Sequence, residues 1–118
     1  MSENNSPGPY DLTRLYEYVG SEPEVVKEMV ELFIQSATDS LANMETCLLK
    51  ADCKNLSKES HKIKSSLQIF GFVDQLETIH KFEQATDALP HDAATRFDAL
   101  KNRLLSGIAA LRQDFGIQ

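Results

Sequence analysis

Apolar residues recur along this chain at intervals of three and four, the spacing that lays one stripe along a helix, and no run of useful length alternates as a strand does. Leu12, Leu15, Tyr16 and Val19 predict a short first helix, with Asp11 placed to cap it and Gly20, tolerant of the left-handed conformation, placed to end it. In Ser21-Glu-Pro-Glu24 the serine hydroxyl and the Glu24 carboxylate are spaced to satisfy each other's backbone donors, and Pro23 stands where a missing N–H does no harm. A long second helix is expected from there to about Lys50, with Val25, Val26, Met29, Leu32, Phe33, Ala37, Leu41, Met44 and Leu48 on one stripe. Asp52 offers a cap to a third helix, in which Leu56, Ile63, Leu67 and Phe70 keep the period until Gly71 stops it. Asp74-Gln-Leu-Glu77 repeats the cap-and-carboxylate spacing before Leu76, Ile79 and Phe82. Pro90 then opens a last helix bearing Phe97, Leu100, Leu104, Ile108 and Leu111. The expected fold is all-α, an antiparallel four-helix bundle with a short additional N-terminal helix, the simplest way to bury four stripes joined by short connections.

A chain of 118 residues fits one domain with a core that needs no disulfide or metal. That domain is expected over residues 10–118, after a flexible lead at 1–9. The lead carries Asn, Ser, Gly and two prolines, without the basic start or apolar segment of a secretion signal, so a cytoplasmic location is expected. No apolar run approaches the roughly 20 residues that span a bilayer. Cys47 and Cys53 are too few and too close for a disulfide framework and read as small packing residues near a helix junction. A formal net charge of −6 argues against nucleic acid and anionic membrane as partners, which leaves a protein or a small ligand. With one exposed site and no obvious second apolar face, a monomer is expected.

The third helix separates two populations. With His61 at zero on a wheel of about 100° per residue, Leu56, Ile63, Leu67 and Phe70 fall between about 180° and 240°, on the opposite side. Lys54, Lys58, Lys64, Ser65 and Gln68 fall within about 60° of the histidine, Ile69 near 80° and Lys62 near 100°. His61 therefore faces solvent among lysines. Between Lys50 and Gln68 five lysines stand against two acids, so this segment is +3 in a chain of −6. Ammonium groups in that arrangement stabilise a negative group without burial.

The chemistry that fits is reversible phosphorylation of the ring. A neutral imidazole has a free lone pair at physiological pH and can attack a phosphoryl group held by another protein. Lys64, at i+3, can reach the doubly charged product, and Gln68, at i+7, can hydrogen-bond its oxygens or orient the ring. Ser65 is small and keeps the approach open, while Lys54, Lys58, Lys62 and Ile69 form the rim. No Gly-rich phosphate cradle, Walker lysine or magnesium-holding acidic set accompanies them, so a donor must bring those parts.

These residues resemble the signature of the histidine-containing phosphotransfer (HPt) domain family: His61, an aliphatic at Ile63, Lys64, small residues at Ser65 and Ser66, and Gly71 ten positions on. The resemblance covers about residues 10 to 115. Asp11-Leu12, Gly20-Ser-Glu-Pro and Glu31-Leu-Phe33 are similar to that family's first helix and the start of its second, and Leu76 and Lys81-Phe-Glu83 to the helix after the histidine. It implies a four-helix bundle whose histidine, here His61, accepts phosphoryl from a receiver domain's aspartyl phosphate and passes it to another receiver, with Lys64 as charge partner. It further implies response-regulator receiver domains and a hybrid sensor histidine kinase as partners, magnesium on the receiver, and no intrinsic cofactor or nucleotide site. One position departs: the family usually has Gly after the lysine, and Ser65 stands there. Two other readings exist. One is a docking module that binds receivers without carrying phosphate. The other is a metal-binding bundle, from the Glu77-x-x-His80 spacing, for which no second such pair is present.

Overall fold

A computed structural model describes residues 8–118. Among these the regular structure is helical throughout: α1 (Thr13–Val19), α2 (Pro23–Leu49), α3 (Cys53–Ile69), a 3-10 turn at Val73–Gln75, α4 (Leu76–Gln84) and α5 (Ala93–Phe115). Helix α3 lies against α2 on one side and α4 on the other, α2 and α4 each meet α5, and α1 leans on α2 and α3. The stripes meet in one core, in which Met44, Leu56, Leu67, Ile79, Phe82, Leu100, Leu104 and Leu111 are fully buried. Of the expected lead, residues 1–7 lie outside the described residues. The carbonyls of Gly8 and Pro9 accept from the Arg103 guanidinium at 3.1 and 2.9 Å.

Several local expectations are met and several are corrected. The Asp52 carboxylate caps α3 by accepting from the Asn55 N–H at 3.2 Å. Helix α1 takes Leu12 as its cap residue, so Asp11 stands one position before the expected cap, with its carboxylate accepting from the Thr13 N–H at 2.9 Å. The Ser21–Glu24 box does not form: α2 takes Glu22 as its cap residue without a side-chain bond, which puts Ser21 one position too early. Nor does the Asp74–Glu77 box form, because the Asp74 carboxylate is taken by Arg103 Nε at 2.9 Å and the chain turns through the 3-10 segment before α4. Pro90 does not open α5 directly; its carbonyl accepts from the Ala93 N–H, closing a turn ahead of the helix. Leu32, expected in the core stripe, is 59% exposed, since it sits about 100° around α2 from Phe33. Helix α4 has only nine residues, fewer than its expected standing as a full bundle element.

Gly71 fixes how α1 joins the rest. Its φ of 86° lies in the left-handed region, and a Cβ there would stand 2.4 Å from the Asp11 nitrogen, whose N–H donates to the Phe70 carbonyl at 3.1 Å. Phe70 and Phe72, on either side of this glycine, both stack on Phe33 of α2, with ring centroids 4.2 and 5.6 Å away. The end of α3 is thereby held to α1 and α2 together.

Candidate functional site

The exposed side of α3 is the one its helical period predicts. His61, Lys54, Lys58, Lys62, Ser65 and Gln68 are exposed, Lys64 and Ile69 half-buried, and Leu56, Ile63, Leu67 and Phe70 buried behind them. The His61 side chain is 73% exposed.

What holds the ring comes from another helix. Glu83, in the last turn of α4, places Oε2 2.5 Å from His61 Nδ1, and its Oε1 accepts from Lys64 Nζ at 2.8 Å. One carboxylate thus bridges the imidazole and the ammonium that α3 presents three residues apart. The Lys64 hydrogen bond, followed by that to His61, holds the Glu83 carboxyl below the usual carboxylate range, so it is ionised at neutral pH. An ionised carboxylate only accepts, so Nδ1 carries the proton facing it. In the neutral ring the lone pair then sits on Nε2, on the side away from Glu83. Helical spacing within α3 does not single out Glu83. Its only signal was a place beside Phe82 in the segment similar to the family's following helix.

The remaining residues divide around this pair. The Gln68 side chain makes no hydrogen bond among the described residues, and the group at the ring nitrogen is the Glu83 carboxylate. On the α2 side, the Glu59 carboxylate accepts from Ser40 Oγ at 2.7 Å and Asn43 Nδ2 at 3.4 Å, and Lys62 Nζ reaches it at 4.0 Å. Lys62 is thereby turned from the histidine toward α2, whereas Lys54 and Lys58 form no ion pair among the described residues. Ile69 lines an apolar groove of about 290 Å³ between α1, α2 and α3, together with Tyr18, Met29, Leu32 and Phe33. Glu77 and His80 are both exposed, and Glu77 faces Arg96 at 3.9 Å.

A family model described as the Hpt domain matches residues 28–114, most of the chain. The chain belongs to the Hpt domain family. No curated protein and no solved structure matched it. The match runs from within α2 to the last turn of α5 and so contains His61, Lys64 and Glu83. Hpt domains take part in histidine phosphotransfer within phosphorelays, interact there with receiver domains, and are phosphotransfer modules rather than catalysts with nucleotide sites. Among the described residues of this Hpt domain, no helix is long and apolar enough to cross a membrane.

Proposed function

We propose that this Hpt domain carries a phosphoryl group on His61 between two receiver domains of a multistep relay. The observation that carries the proposal is the exposed ring held at Nδ1 by Glu83, with Nε2 free. In the transfer, the Nε2 lone pair attacks the phosphorus of a receiver's aspartyl phosphate. The Nε2–P bond forms as the acyl O–P bond breaks, and the bonding pair leaves with the receiver's carboxylate. The ring keeps its Nδ1 proton and gains positive charge, which the Glu83 carboxylate offsets, so no general base is required. Onward transfer reverses these steps on a second receiver.

Lys64 is the charge partner of the transferred group and Gln68 a further donor, with Ser65 leaving room for the incoming domain and Lys54, Lys58 and Lys62 raising the local potential. The magnesium ion belongs to the receiver, and a hybrid sensor kinase stands upstream. The protein acts in the cytoplasm as a monomer, with residues 10–118 as an antiparallel four-helix bundle behind a lead at 1–9. Short connections and the cyclic contacts of α2, α3, α4 and α5 support that arrangement. Incubation with a phosphorylated receiver domain should place acid-labile, alkali-stable label on this chain; a wild-type protein that takes none would end the proposal.

Lys64→Ala is expected to keep the fold, because the side chain lies outside the core at 34% exposure, and to slow phosphotransfer about fivefold, equivalent to roughly 1 kcal/mol, the order of one hydrogen bond at a partly exposed group. Rapid-quench transfer kinetics measure this, and an unfolded variant would contradict the placement of Lys64.

The groove beside Ile69 fits an apolar patch on the receiver. Exposed Leu32 and Tyr18 lie at its edge and Ile69 connects it to the histidine face. Leu32→Asp is expected to weaken receiver binding about tenfold, equivalent to losing roughly 1.4 kcal/mol of apolar contact, without lowering Tm. A binding titration with unaltered affinity would remove the groove from the interface.

A further inference from the structure

Three residues of α3 bond to Glu83, and only two of them bond its carboxylate. The third is Ser57, whose hydroxyl donates to the Glu83 backbone carbonyl. Ser57, His61 and Lys64 stand at i, i+4 and i+7, one edge of the helix. Glu83 lies in the last turn of α4, where backbone carbonyls have no N–H within the helix to accept from. Beyond Gln84 the chain leaves the helix, and residues 85–92 form bends and turns. The Ala85 and Thr86 N–H groups donate to the Phe82 and Gln84 carbonyls, which leaves the Glu83 carbonyl between them without a backbone donor among the described residues. Ser57 supplies a partner from the neighbouring helix for the carbonyl of the same residue that holds the histidine. Between Ser57 and Lys64 lies Ser60, fully buried, with its hydroxyl unpartnered among the described residues.

We infer that Ser57 is a positioning residue for the phosphoryl-accepting nitrogen: it clamps the main chain at Glu83, which keeps the carboxylate on Nδ1 and the lone pair on Nε2. The inference rests on the reading of His61 as the phosphoryl acceptor. A carboxylate carried on two methylene groups can swing away from an exposed ring. Tying its own backbone to the helix that bears the ring restricts that motion, and the geometry passes through Glu83 without Ser57 touching His61 or the phosphoryl group.

The test uses the full chain and three variants. Val and Thr share one shape and differ in the hydroxyl, so Ser57→Val and Ser57→Thr separate hydrogen bonding from volume, and Ser57→Ala removes the group with little disturbance of the helix. In nitrogen-15 spectra of the imidazole, assigned by loss of signal in His61→Gln, wild type and Ser57→Thr are expected to show Nδ1 protonated and Nε2 unprotonated. Ser57→Ala and Ser57→Val should move toward a tautomer mixture and transfer phosphoryl about fivefold more slowly, with circular dichroism unchanged. A nitrogen spectrum in Ser57→Ala identical to wild type, or Val and Thr variants that behave alike, would overturn the clamp. The tautomer measurement needs no phosphoryl donor. A wild-type protein that takes no label therefore overturns the phosphotransfer reading, while the spectra still decide the clamp.

Discussion

His61→Gln is expected to remove all acid-labile label from the protein while leaving its fold and its affinity for receiver domains within about threefold of wild type. Glutamine keeps an N–H donor that can face Glu83 but offers no nucleophile, because its amide nitrogen shares its lone pair with the carbonyl. The side chain being replaced is 73% exposed and outside the core, so the change in stability should stay within about 0.5 kcal/mol. Loss of label with retained binding separates the phosphoryl carrier from the surface that recognises the partner. Label that persists in this variant would place the acceptor at another residue and sink the relay proposal. Binding lost together with label would show that the ring itself anchors the partner.

Glu83→Ala should slow transfer about 10- to 100-fold, the range given by removing a charge-assisted hydrogen bond of roughly 1.5–3 kcal/mol. Two effects act in the same direction. The ring loses the acceptor that keeps the proton on Nδ1, and the positive charge developing on it during transfer loses its counter-ion. Lys64 is also released from its 2.8 Å contact. Glu83→Gln, which retains a neutral acceptor but no charge, should fall between wild type and Ala in single-turnover experiments. A rate equal to wild type in Glu83→Ala would mean that the contact with His61 contributes nothing to transfer. Glu83 also gives the fold a pH dependence of known sign. Its carboxyl is held below the ordinary value of 4.5 by Lys64 first and His61 second. The stabilisation is therefore complete above that ordinary value and is lost as pH falls through the lower folded-state pKa. The stability gap between wild type and Glu83→Ala should accordingly shrink as pH falls below the carboxylate range. A gap that did not shrink there would contradict the pairing.

The helical plan was legible because it depends on local spacing. Every apolar residue assigned to the core of α3 and of α5 is buried there, and Asp52 and Gly71 act at the ends of α3 as their types require. Expectations failed where a side chain had two outlets. Asp74 has the spacing of a helix cap, yet it bonds Arg103, which stands 29 residues away and was invisible to any local rule. Leu32 carries the hydrophobicity of a core residue, but its angle around α2 leaves it at a groove.

The site divides along the same line. Periodicity alone puts His61, Lys54, Lys58, Ser65 and Gln68 on the wet side of one helix, since a rotation of about 100° per residue fixes who shares a face. The chain by itself therefore determined a histidine among lysines, exposed, with a core behind it. Which group would hold the ring was decided only by tertiary structure. Glu83 lies 22 residues from His61 and Ser57 meets it across the same gap between helices. Whether they touch depends on how far α4 slides and turns against α3, which the packing of buried Ile79 and Phe82 sets, and no periodicity within a single helix encodes that offset.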